Sequence, residues 1–465
     1  MAKFYDSLYT LCGYETEELE KQRPRIEETL RKLGLGPEDC KAAESFVQKN
    51  HDIELLGVRK ILGIWLKGLT DLVLAREEGK KIFYFGFPSI GGIGMAVAEA
   101  SEDVYSGCPD VVLCHTLGQI FNKLYPILEA GEQNGLPAGH SLCTLQAVRV
   151  GALAKGIIPI PDMVSISSYF CDMGSKTDEL LWEKYGYPSV AVDGSMDSKW
   201  GEFPEYDPIR VKYLGAQINK LFDEVEKHMG VKVNEEKFKK ALGRNADYMK
   251  AMGQLSMVMN ADPVPISMAT VSLARWLGTA DTRWARVSGR EAVEILIQEI
   301  QKRVDKGYGV VPKGAPRVLI GFPGFTDPGL IHMMEEAGLA VVAMTLMAPL
   351  RMKSWESDQP TLGEQRAEIE MRVGFYHSNY AIAKRWAEVA QDSKVDGFIW
   401  NYLFNCRPVA STSHLLKKVV EEETGIPVLS LEVDIYDSRY YSPATLKTRV
   451  ETFADILRAR KAARA

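Results

Sequence analysis

At 465 residues the chain is too long for one core and implies two or three, while 46% hydrophobic and 25% charged residues are ordinary for a soluble globular protein. A net charge of −6 and a pI near 5.8 argue against a nucleic-acid partner, which would need a basic face. No apolar run reaches the roughly 18 residues of a membrane span, and the first residues, Met-Ala-Lys-Phe-Tyr-Asp, carry no signal segment, so the expected compartment is the cytoplasm.

Residues 15–75 read as helical, with apolar residues at helical spacing through Ile26, Leu30, Leu33 and then Leu55, Val58, Ile61, Leu62 and Trp65. The pattern then changes. Lys81-Ile-Phe-Tyr-Phe-Gly-Phe-Pro is a short aromatic run closed by Gly and Pro, a buried strand. Further strands are expected at 111–114, 163–170 and 189–193, separated by helix-like stretches at Leu117–Tyr125 and Cys143–Lys155. Such alternation predicts βαβ units with a parallel sheet. From Pro208 to about Arg286 the strand signal stops, and Val211–Met229, Glu235–Gln254, Ser267–Leu277 and Arg290–Lys306 read as helices. Strand signals return at Arg317, Leu339–Thr345, Val395–Leu403 and Pro427, before a last helix from Pro443 to Arg460. The expected fold is therefore α/β. It comprises a helical N-terminal segment (1–75), an α/β domain (76–207), a helical connector (208–310) and a second α/β domain (311–465). Each α/β domain should hold a small, mostly parallel sheet, with a cleft between the two for a ligand. No internal repeat is evident.

Gly86-Phe-Pro-Ser-Ile-Gly-Gly-Ile-Gly follows a strand, but Gly91, Gly92 and Gly94 lack dinucleotide-site spacing and read as a tight turn. No P-loop sequence occurs.

Seven scattered cysteines do not form a secreted disulfide framework. Three of them, Cys143, Cys171 and Cys406, are expected at or near strand ends ahead of helices, where open α/β sheets place their chemistry. Three thiolates gathered there can hold three irons of a cubane and leave the fourth open. The plainer reading is three buried free cysteines. Cys108, Cys114 and His115 form a Cys-x5-Cys-His run conceivable for zinc, with the ligands split between a turn and a strand interior. Cys12 and Cys40 read as structural. His140, three residues before Cys143, is either a proton donor beside a cluster or an ordinary loop histidine; His115 and His414 also lie near cysteines in sequence. Asp434, Asp437 and Arg439 are either a solvated ion pair or a phosphate or substrate contact.

The C-terminal run Leu431-Glu-Val-Asp-Ile-Tyr-Asp-Ser-Arg-Tyr-Tyr-Ser-Pro-Ala-Thr-Leu-Lys-Thr-Arg-Val-Glu resembles the closing motif of the larger cluster-binding subunits in the 2-hydroxyacyl-CoA dehydratase and benzoyl-CoA reductase superfamily. Asp396-Gly-Phe-Ile through Asn405-Cys406, Cys143-Thr-Leu-Gln-Ala-Val-Arg, and Pro161-Asp-Met through Cys171-Asp resemble its three cluster-cysteine segments, in the same order. The resemblance spans roughly residues 80–457. It implies that Cys143, Cys171 and Cys406 each bind one iron of a [4Fe-4S] cluster. It also implies a CoA-thioester substrate, a related cluster-binding partner subunit, and a separate Fe–S activator ATPase. The activator would be the ATP consumer, in keeping with the missing P-loop. Many large dehydratase subunits carry Cys-Asn-Asn-x-Cys-Asn at the second ligand; this chain has Ser167-Ser-Tyr-Phe-Cys-Asp. With its Asp-Ser-Arg-Tyr-Tyr-Ser closing run, it is nearer the benzoyl-CoA reductase type than a ketyl-radical 2-hydroxyacyl-CoA dehydratase. A double-cubane small-molecule reductase would need three further ligands, and none of Cys12, Cys40, Cys108 and Cys114 is convincingly placed. A non-catalytic scaffold subunit is the alternative from another class.

Overall fold

The computed structural model describes residues 3–135, 143–167, 171–194, 202, 205–280, 282–321, 326–345, 356–373, 377–403 and 406–464. The N-terminal periodicity becomes four helices: α1 (Asp6–Leu11), α2 (Thr16–Leu33), α3 (Pro37–Asn50) and α4 (Leu56–Leu74). Helix α4 buries Val58, Ile61, Leu62, Trp65, Leu66 and Leu69, the stripe that a 3.6-residue period aims at a core.

The first sheet-bearing part contains β1 (Lys81–Phe85), α5 (Ile93–Ala100), β2 (Val104–Gly107), α6 (Pro109–Leu113), a π-helical turn (Cys114–Gly118), α7 (Tyr125–Gln133), α8 (Thr144–Ala154), β3 (Met163–Ser167), α9 (Asp172–Tyr185) and β4 (Ser189–Val192). Then come α10 (Pro208–Met229), α11 (Glu235–Met259), α12 (Met268–Ala280) and α13 (Arg283–Asp305), as the amphipathic pattern predicts. Helix α13 packs along α4. The second sheet-bearing part has β5 (Arg317–Ile320), α14 (Pro328–Glu336), β6 (Ala340–Met344), α15 (Leu362–Val373), α16 (Asn379–Asp392), β7 (Gly397–Tyr402), α17 (Arg407–Thr424), β8 (Val428–Glu432) and α18 (Pro443–Ala462).

Two separate four-stranded parallel sheets result, ordered β2-β1-β3-β4 and β6-β5-β7-β8. Phe83 pairs with Met163 in the first and Val318 with Gly397 in the second. These are the same topology used twice, a structural repeat that the side chains do not advertise. In each, strand order reverses between the first and third strands, the switch point that favours ligands in such sheets.

Two expectations are corrected. Residues 111–114 are not a strand: they close α6 and open the π turn, and the strand is Val104–Gly107. Cys143 does not follow a strand among the described residues; the element before it is α7. The glycine-rich segment is a turn as expected. Gly92 sits at φ 86° before α5, and a Cβ at Gly94 would overlap the Phe85 ring.

Helices α7 and α8 cross backbone to backbone. A Cβ on Gly131 would stand 2.5 Å from Ala147 O, and one on Gly151 would overlap Ile127 O. Gly151→Val must push the helices apart, so it is expected to lower unfolding free energy by at least about 2 kcal/mol in urea titration. An unchanged midpoint would show that the crossing adjusts freely. Among the described residues, no helix is long and apolar enough to cross a membrane.

Candidate functional site

Each of the three singled-out cysteines is the N-cap residue of a helix: Cys143 of α8, Cys171 of α9 and Cys406 of α17. The sulfur stands where a Ser or Asp oxygen usually accepts the first N–H groups. Cys171 Sγ accepts from Gly174 N at 3.4 Å, and backbone N–H groups of Leu145 and Val409 favour the charged forms of Cys143 and Cys406. The N-terminal ends of helix dipoles favour negative charge in the same way. Cys171 and Cys406 follow the third strand of their respective sheets, so the two cysteines occupy equivalent places in the repeated topology.

All three residues are partly buried. Burial raises the Cys143 thiol well above the ordinary range, and Asp434, Cys406 and Cys171 raise it further. Burial pushes Cys406 up to about 12, with Cys171 adding to the effect. Burial likewise raises Cys171. The sulfurs thus feel one another, and as free thiols they are neutral near pH 7. A metal group entering here must displace their protons. Among the described residues, no three His, Cys, Asp or Glu side chains close on a single ion. Thiols on three separate helices suit a cluster better, because each sulfur then meets its own iron.

The wall around Cys143 comes from both sheet-bearing parts. Thr144, the next residue, donates its hydroxyl to Asp434, whose carboxylate also accepts from Tyr436 N (2.9 Å) and Asp437 N (2.8 Å). Burial raises the Asp434 carboxyl, and the Thr144 bond opposes it. Asp437 is buried and pairs with Arg439, which also reaches Glu132 and lies over the rings of Tyr125 and Tyr440. Asp434 and Asp437 are therefore not a solvated pair; they brace the closing loop.

Tyr436 donates its hydroxyl to His115 Nε2 at 2.7 Å. His115 Nδ1 faces Val111 O at 2.8 Å, and a carbonyl only accepts, so Nδ1 carries the proton. The ring stacks on Trp65 (4.6 Å between centroids, 9°) and lies 4.9 Å from Trp276. Burial holds its pKa down to about 3, so it is neutral. Sequence reading missed this pairing because its partners lie 321 positions apart.

Of the other candidates, Cys114, its thiol raised by burial, lies beside Cys143 and Asp434, whose charges raise it further, and the rest separate from the site. Cys108 caps α6 and lies 3.6 Å from Asp110 Oδ2, and its thiol is driven upward by burial. Cys114 lies in the π turn, also buried, and does not join Cys108 and His115 in a zinc group. Cys12 and Cys40 are buried among the N-terminal helices. His414 is exposed on α17. His140 lies outside the described residues.

Known proteins share much of this chain. It is 26% identical over 350 residues to one of the subunits of benzoyl-CoA reductase from Thauera aromatica, covering 68% of this chain and 77% of that one. It is 22% identical over 306 residues to the (R)-2-hydroxyglutaryl-CoA dehydratase α subunit of Acidaminococcus fermentans, covering 65% of this chain and 61% of the relative. The (R)-phenyllactyl-CoA dehydratase β subunit of Clostridium sporogenes is 23% identical over 251 residues, covering 53% and 64%. The model of one family, 2-hydroxyglutaryl-CoA dehydratase, D-component, matches residues 113–457, which include all three cysteines and the closing loop, and the chain belongs to that family.

Proposed function

We propose that this chain is the iron–sulfur subunit of a benzoyl-CoA-reductase-like enzyme acting on a CoA thioester, with Cys143, Cys171 and Cys406 each holding one iron of a [4Fe-4S] cluster. The observation that carries this reading is the placement of three thiols at three helix N-termini, with Cys143 within electrostatic reach of the other two. When bound, the cluster supplies single electrons of low potential. The chain's own part is to aim the Gly174 N–H at the Cys171 sulfur and to brace the Cys143 side through Thr144 and Asp434. The Trp65 and Trp276 rings cover His115 and keep it neutral, so it holds the Tyr436 hydroxyl without adding charge.

The substrate class rests on the relatives, whose names pair CoA thioesters with reduction or dehydration. The reductase comes first because its match is longer and more identical, and because a single cysteine stands in Ser-Ser-Tyr-Phe-Cys-Asp. A second reading, an (R)-2-hydroxyacyl-CoA dehydratase subunit, is favoured by the family's description and by further dehydratase relatives. Both readings include a related partner subunit, supported by matches to α and β chains alike, and a separate Fe–S activator ATPase. His140 is the proton donor we assign.

Anaerobic assay of the chain with partner subunit, activator and ATP tests this. Dienoyl-CoA from benzoyl-CoA is the expected product. Enoyl-CoA from a 2-hydroxyacyl-CoA, with catalytic rather than stoichiometric ATP use, would move the assignment to the dehydratase. Turnover of neither class by an intact, reducible cluster would end the thioester reading. His140→Gln should slow turnover about 100-fold and keep the cluster; unchanged turnover would remove His140 from the chemistry.

A further inference from the structure

Behind the candidate site lies a buried ionic triad. Arg149 of α8 is 2% exposed at its side chain, and Asp110 of α6 and Asp178 of α9 are fully buried. Arg149 Nη2 lies 2.7 Å from Asp178 Oδ1, and its Nε lies 3.2 Å from Asp110 Oδ1. Asp110 Oδ2 in turn accepts from Phe87 N at 3.0 Å, in the loop leaving β1. Gln146 of α8 donates to Phe87 O and accepts from Arg149 Nη2 at 3.1 Å. The packing is close enough that a Cβ on Gly86 would stand 2.7 Å from Asp178 Oδ2 and 2.9 Å from Arg149 Nη1.

Burying three charges in a core gains little net stability, and an apolar trio of the same volume often does as well. What the triad adds is directional. Helix α8 begins at Cys143 and α9 at Cys171, so one guanidinium ties together the two helices that present two of the three thiols. Its two arms meet both carboxylates at once as ion pairs, Nη2 toward Asp178 and Nε toward Asp110, a span that a compact Lys ammonium does not offer. Residues 136–142 and 168–170 precede those cysteines, and the triad reaches both helices without them.

We propose that Arg149 is a positioning residue for the cluster: clamped between Asp110 and Asp178, it sets the relative placement of Cys143 and Cys171. The inference rests on the cluster assignment above.

The test uses the full chain, reconstituted anaerobically with iron and sulfide, in wild-type, Arg149→Lys and Asp178→Asn forms. Lys keeps the charge and loses the fork; Asn keeps the shape and loses one arm. Each variant is expected to release iron to a chelator at least about tenfold faster than wild type, the scale of losing a group that orients a metal ligand. Each should also show an altered electron paramagnetic resonance spectrum of the reduced cluster. A packing role alone would lower the unfolding temperature of the cluster-free chain and leave spectrum and iron release as in wild type; that result overturns the proposal. Should Arg149→Lys fail to fold, Asp178→Asn decides by the same two readouts. A wild-type chain that takes up no cluster overturns the cluster assignment and this inference together, whereas loaded wild type with unchanged variants overturns this inference alone.

Discussion

Replacing Cys171 by Ser is expected to strip most of the iron and visible absorbance from the anaerobically reconstituted protein. A serine hydroxyl is a harder and far less acidic donor than a thiol, and iron–sulfur clusters are held by thiolates. The same loss is expected for Cys143→Ser and Cys406→Ser, since each helix N-terminus offers one sulfur. Cys12→Ser and Cys40→Ser provide the contrast: both sit among the N-terminal helices and should leave iron content at the wild-type level. Full iron in the Cys171→Ser protein would remove it from the ligand set.

Acid should destabilise the fold well before its carboxylates are protonated. His115 is held at about 3 and His51 at about 4, both by burial, against about 6.5 in an unfolded chain. Each group's folded pKa is depressed, so its contribution is fully present above pH 6.5 and is lost as pH falls toward the folded value. Between pH 7 and 5 the loss comes to about 2 kcal/mol for each histidine. Burial raises Asp110 and Asp434, which act with the opposite sign, so the histidine term is read as a difference between proteins. Urea unfolding at pH 7 and pH 5 should show His115→Gln losing about 2 kcal/mol less than wild type across that interval. Parallel losses would mean that the fold does not hold His115 neutral.

The alternation of strand and helix and the long helical stretch between the sheets were legible because each rests on a period that side chains display directly. The error at 111–114 has a definite source. Val-Val-Leu-Cys is apolar throughout, and a fully buried helix turn and a buried strand write the same run. The deciding signals were Pro109 at the helix start and Asp110 in its first turn. Cys143 went the same way: its helix was visible, whereas among the described residues no strand leads into it. The repeated sheet topology is carried by connection order, which needs no shared residues. The Tyr436–His115 and Arg149–Asp178 pairs, by contrast, join ordinary residues across the fold, and composition and spacing contain no trace of them.

Because Cys171 and Cys406 sit in the two copies of one topology, the proposed ligand set is split along the chain as well as in space. A ribosome exposes Cys143 and Cys171 first, and then makes more than two hundred further residues before the third thiol exists. At ordinary elongation speeds that interval is on the order of ten seconds or longer. Any group needing all three sulfurs therefore cannot be completed until Cys406 has been made. During the wait, the earlier pair is two unligated thiols open to oxidation, which makes oxygen exposure of the nascent protein, as much as of the finished one, a determinant of how much can be loaded.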